Sequence, residues 1–327
     1  MNTPFETPRG QASETETNAH GNTATRTHGL DGATETSTTF GAATAPVSSA
    51  GGRADDPAWG LTAAFGVWVA SVGLLLAGGL VALVAYALIR IPSFNMVDLQ
   101  RAVESDPLVI LLSIAAMIPV HLLTFAVAWA VVTGFNRRPF RETVGWSWGE
   151  RFGLLTCIGM AIGLWLLGIA LATLFGGQET DIDRIIASSN AARFSVAFLA
   201  VVTAPIVEET VYRGVLFPPL RRAAGNTWAI IIVTLMFASV HFFQYWNNLG
   251  VIAAVTLLSL VLTWVRAHTG RLLPCFVIHA AFNGIQAIII IAQPYLKTLV
   301  PTGPNAPPQQ SALICDAIVG ALARVCL

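Results

Sequence analysis

Residues 194–217 read FSVAFLAVVTAPIVEETVYRGVLF. The stretch is apolar and long enough to cross a bilayer as a helix, which takes about 20 residues. Yet its second half holds Glu208, Glu209 and Arg213. In lipid an ionisable side chain is costly and points to function. Glu209 and Arg213 stand four residues apart with the acid first, the favourable order for a helical ion pair. Glu208 points about 100° away, on the face of Tyr212. Only Glu208 lacks an in-helix counter-ion, so it is the carboxylate expected to exchange a proton with water. Glu209 and Arg213 are expected to support and orient. A salt-bridged helix end at the membrane surface is the rival reading, and the long apolar flanks weigh against it.

Outward from this stretch the chain is apolar as well. Of 327 residues 54% are hydrophobic and 11% charged, with 18 Lys and Arg against 18 Asp and Glu. A soluble domain carries about 25% charged residues. These proportions, with a mean hydropathy of +0.66, exclude an ordinary cytosolic enzyme. They also exclude a nucleic-acid binder, which needs a concentrated basic surface.

Further candidate spans lie at 59–89, 108–133, 152–175, 228–245, 249–265 and 272–292. With 194–217 they make about seven transmembrane helices in an all-α bundle. The segment 311–327, with Asp316 and Arg324, is expected as an interfacial helix or an eighth span. Three regions follow: a Thr/Ser/Ala/Gly-rich tail over 1–57, a membrane domain over 58–295 with its motif core at 194–292, and a C-terminal tail over 296–327. The first tail has Phe5 and Phe40 as its only aromatics and no periodicity. It is expected to be disordered and, lacking an apolar h-region, not to be a signal peptide.

Arginines set the expected orientation. Arg137, Arg138, Arg141 and Arg151 follow the second span, Arg221 and Arg222 the fourth, Arg266 and Arg271 the sixth. These loops and the N-terminus are expected in the cytoplasm, in a multi-pass protein of the plasma membrane. Cys157 and Cys275 fall inside spans and are expected to pack as small apolar residues. Cys315 and Cys326 would be about 16 Å apart on a helix, too far for a disulfide.

Two more spans carry polar stripes. Phe237 and His241 share a face at i,i+4, and so do His279 and Asn283, with Gln286 continuing that stripe. A helix break is expected at Pro218-Pro219. Counted from there at 1.5 Å per residue, Glu208 lies about 15 Å deep, with His241 about 20 Å and His279 about 10 Å into their own spans. All fall in one layer of the cytoplasmic half. Such a layer calls for a common partner or a water-lined cavity.

Glu208-Glu209…Arg213, Phe237…His241 and His279…Asn283 match E-E-x-x-x-R, F-x-x-x-H and H-x-x-x-N in order and spacing. They resemble the motifs of the CPBP family, the intramembrane endopeptidases related to type II CAAX prenyl proteases and bacteriocin-processing enzymes. Leu220 and the run Leu272-Leu273-Pro274 are similar to the family pattern too, while Tyr212 stands where Phe is commoner. The resemblance covers about 194–292 and implies hydrolysis of a peptide bond in a membrane-associated protein or peptide. Glu208 would activate a water that His241 holds or shares, and His279 and Asn283 would stabilise the oxyanion. No cofactor is expected, since nothing resembles an H-E-x-x-H helix. A zinc held by Glu208, His241 and His279 is the alternative. The alternative function is a catalytically silent scaffold or immunity protein that binds a peptide in the same pocket.

Other features are read as packing. Gly145-Trp146-Ser147-Trp148-Gly149 matches G-x-S-x-G but lies in a loop between spans, without the strand-turn-helix that a nucleophile elbow needs. His121, near Pro119, is read as a packing residue, and Gly159 and Gly163 as a pair that lets helices approach within the bundle. A proton-coupled transporter ranks last, because no second copy of the Glu-Glu segment exists.

Overall fold

The structure is a computed structural model that describes residues 57–91, 95–150, 152–175 and 181–298. The expectations for 1–56 and 299–327 lie outside the described residues. In chain order the helices are α1 (Leu61–Arg90), α2 (Met96–Ser105), α3 (Pro107–Thr133), α4 (Phe140–Thr143), α5 (Leu154–Phe175), α6 (Asp181–Ser188) and α7 (Asn190–Phe198). A first π-helical segment (Leu199–Thr203), α8 (Ala204–Glu209), a second π segment (Thr210–Leu216) and α9 (Phe217–Phe242) follow without interruption. Then come α10 (Leu249–Thr269) and α11 (Leu273–Thr298). Among the described residues there is no strand, as an apolar chain that must satisfy its own backbone in lipid requires.

Six helical stretches among the described residues are long and apolar enough to cross a membrane. The protein is a multi-pass membrane protein. Its outer face shows the same solvent: Leu76, Leu88 and Leu155 are 72%, 78% and 85% exposed. Such a surface is stable against hydrocarbon and not against water. α10 is the exception, with 56% of its apolar window buried, and forms the centre of the bundle.

The count differs from the expected seven because the fourth and fifth expected spans fall in one helical stretch of 53 residues, Asn190–Phe242. As one rod it would reach about 80 Å, far beyond a hydrocarbon core of about 30 Å. The break is not at Pro218-Pro219, as the sequence suggests, but at Gly225. Both prolines are buried at the start of α9, and the Val215 carbonyl, four residues before Pro219, accepts from Trp59 Nε1, a bond that Pro219 has no N–H to make. Gly225 has φ 78° and ψ 171°, a conformation that a side chain disfavours strongly.

Gly159 and Gly163 do not serve close approach, because both are exposed and a Cβ on either would meet nothing within 4 Å. Gly250 does that work. A Cβ there would lie 2.6 Å from Ala172 Cα, so the glycine lets α10 lie against α5.

The arginine-bearing connections meet at one end of the bundle. Arg266 donates to the Val144 carbonyl, and the Leu272 N–H donates to the Gly145 carbonyl, tying the loop after α3 to the α10–α11 turn. Gly214 packs against Val144 and Leu272. Arg222 donates to the Pro57 and Trp59 carbonyls, and Trp59 Nε1 to the Val215 carbonyl, which brings in the start of α1. The G-x-S-x-G segment is a turn in this region, with no strand before it.

Candidate active site

The Glu-Glu segment sits between two π segments, and this irregularity builds part of the site. In the first, the Ala204 N–H bonds five residues back to the Leu199 carbonyl. The same register would hand the Ala200 carbonyl to residue 205, which is proline and has no N–H. Asn283 Nδ2 donates to that carbonyl at 2.8 Å, so the third motif closes a gap left by the first. π segments of this kind recur at functional sites.

Arg213 and Glu209 are both completely buried. Their ion pair is 3.0 Å long, as the i,i+4 spacing leads one to expect. The guanidinium also donates to Thr263 Oγ1 at 3.1 Å, and to the Ser259 carbonyl and Oγ at 2.9 and 2.7 Å. α10 thus supplies the bonds that a buried cation needs beyond its carboxylate. The Phe237 ring lies 4.9 Å from the guanidinium carbon and stacks on His241 at 4.5 Å, with Tyr212 edge-on at 5.0 Å. The Phe of the second motif therefore joins the cation to the imidazole.

Each motif histidine has one ring nitrogen committed. His279 Nδ1 is 2.8 Å from Glu209 Oε1, and His241 Nδ1 is 2.8 Å from the Phe237 carbonyl. Carboxylates and carbonyls accept, so Nδ1 carries the proton in both rings and Nε2 is left for other work. His279 Nε2 lies 3.8 Å from Glu208 Oε2. The Glu208 side chain keeps 25% exposure where Glu209 has none. The two adjacent carboxylates thus divide, one sealed against Arg213 and one facing open space.

That space is a cavity of about 380 Å³. Glu208, Tyr212, Phe237, His241, His279 and Asn283 all line it, while Glu209 and Arg213 stand behind its wall. Gln286 belongs to the His279 stripe but is fully buried away from the cavity, accepting from Trp165 Nε1 at 3.1 Å. Among the described residues no group of three His, Cys, Asp or Glu is placed to hold a metal ion.

The sequence reading missed His121, which does not pack away but lines the same cavity from α3. A histidine inside an apolar span was the available signal; its rotation toward the cavity was not. Trp68 also escaped notice: its Nε1 donates to the Tyr212 hydroxyl at 3.2 Å and ties α1 to the site.

No curated protein and no solved structure matches the chain. Residues 190–285 match the family model described as type II CAAX prenyl endopeptidase Rce1-like. That segment, 96 of the 327 residues, holds every residue of the three motifs and is similar to the CAAX endopeptidases of the CPBP family.

Proposed function

We propose that the chain is an intramembrane endopeptidase that hydrolyses a peptide bond of a membrane-associated protein or peptide, with Glu208 as the base that activates the attacking water. The division of the two carboxylates supports it: Glu208 opens on the cavity at 25% exposure while Glu209 is sealed on Arg213. A water about 2.8 Å from both Glu208 Oε2 and His279 Nε2 fits their 3.8 Å separation. Glu208 takes its proton as the hydroxide adds to the scissile carbonyl, and passes that proton to the leaving amine. His241 shares the water through Nε2. Oxyanion charge falls to the second amide N–H of Asn283 and to His279 entering the step protonated, its Nε2–H donating to the oxyanion and its Nδ1–H held by the Glu209 carboxylate. These residues complete the step with no metal ion.

The arginine-bearing end is assigned to the cytoplasmic face of the plasma membrane, with the N-terminus on that side. The deciding experiment compares wild type and Glu208→Gln, reconstituted in liposomes, on a membrane-inserted peptide, with and without a chelator. Cleavage by wild type alone, unchanged by the chelator, is expected. Equal cleavage by both proteins refutes the role of Glu208, and no cleavage by either leaves a peptide-binding scaffold.

A further inference from the structure

The cavity contains a third imidazole from outside the family-matched segment. His121 lies on α3, well before residue 190, and is half-buried. Its Nδ1 is 2.8 Å from Thr203 Oγ1, and that hydroxyl is 3.2 Å from the Leu199 carbonyl. A carbonyl only accepts, so the hydroxyl proton points to Leu199 and the hydroxyl oxygen receives the proton of Nδ1. His121 is therefore built as His241 and His279 are: Nδ1 anchored on an oxygen, Nε2 left to an occupant. Its anchor is the first π segment, whose Ala200 carbonyl accepts from Asn283. One irregular turn thus orients groups from α3 and from α11.

A peptide lying in this cavity brings carbonyls that need donors and N–H groups that need acceptors, and in lipid neither can be left unpaired. Asn283 and His279 answer the scissile carbonyl, and Glu208 is taken by the water. We propose, on the endopeptidase reading above, that His121 is a further substrate-contacting residue whose Nε2 accepts a backbone N–H of the bound peptide.

A purely structural role for His121, tying α3 to the π segment, makes the opposite forecast for two substitutions. Asparagine places an amide nitrogen where Nδ1 sits, keeps the Thr203 bond and lacks Nε2. Glutamine reaches the Nε2 position with its amide oxygen and gives up the Thr203 bond. The probe is a quenched-fluorescent, all-apolar peptide in liposomes, with Glu208→Gln run beside wild type. Its affinity is also read without turnover, by anisotropy, on Glu208→Gln, Glu208→Gln/His121→Asn and Glu208→Gln/His121→Gln. The expected result is KM and dissociation constant raised about tenfold by His121→Asn and close to wild type in His121→Gln. Equal values for both substitutions, or a loss confined to His121→Gln, overturns the proposal. If wild type cleaves nothing but affinity still follows glutamine over asparagine, the contact stands and the endopeptidase reading falls.

Discussion

Replacing Arg213 tests whether the sealed ion pair supports the fold or the chemistry. Arg213→Met keeps most of the side-chain volume but leaves Glu209 with no counter-ion at 0% exposure. It also removes donors from Ser259 and Thr263. Removing one partner of a buried pair costs about 3–5 kcal/mol. Glu209→Met leaves a buried guanidinium that keeps its α10 partners, so a loss at the lower end of that range is expected, about 3 kcal/mol. The double substitution leaves neither charge, and replacing a whole buried pair by apolar side chains is near neutral or stabilising. It should therefore be more stable than either single variant. Activity must follow another order. Glu209 is also the oxygen that holds His279 Nδ1. Both variants that lack Glu209 should lose hydrolysis by about a hundredfold or more, as expected for loss of an oriented donor, however stable they are. Equilibrium unfolding in mixed micelles and peptide hydrolysis on the same preparations measure the two effects. If Arg213→Met costs less than about 1 kcal/mol, or if the double variant shows the sum of the two losses, the assignment of this pair as a mutually dependent buried unit is refuted.

Three further outcomes rest on single contacts. Asn283→Ala leaves the Ala200 carbonyl unpaired and should destabilise by about 1–3 kcal/mol in the same unfolding assay; no change would show that another donor serves that carbonyl. Gly250→Ala should destabilise by about 1–3 kcal/mol through overpacking. Gly159→Ala, facing open space, should stay within about 0.5 kcal/mol of wild type, so equal losses would contradict the packing of α10 on α5. Asp106, just before α3, accepts the Tyr86 hydroxyl at 2.6 Å and caps the Leu108 N–H at 2.8 Å. The Tyr86 bond first, then the Leu108 bond, holds its carboxyl below the usual carboxylate range. A lowered folded value means the stability is present above the unfolded value and lost as pH falls through the folded one. Asp106→Asn should therefore flatten the acid limb of a pH-stability curve, and an unchanged limb would show that the cap carries no pH-dependent stability.

Local spacing determined much of this protein. Apolar runs long enough to cross a bilayer specify membrane helices, because in lipid each segment must satisfy its own backbone. The i,i+4 steps placed Glu209 with Arg213, Phe237 with His241 and His279 with Asn283, since neighbours on a helix face follow from the helical period alone. Glu208 was separable from Glu209 for the same reason. Where periodicity ended, the reading failed. The break fell at Gly225, whose φ of 78° leaves the helical region, and not at the prolines, which sit within the continuous helix. Gly159 and Gly163 shared a face, but among the described residues nothing lies within 4 Å of a Cβ at either. The Ser259 and Thr263 partners of Arg213, the Asn283 bond to Ala200 and the turn of His121 into the cavity all join segments far apart in the chain. A sequence sets which residues share a face; which face meets which neighbour depends on how the helices pack, and that was decided only in the tertiary structure.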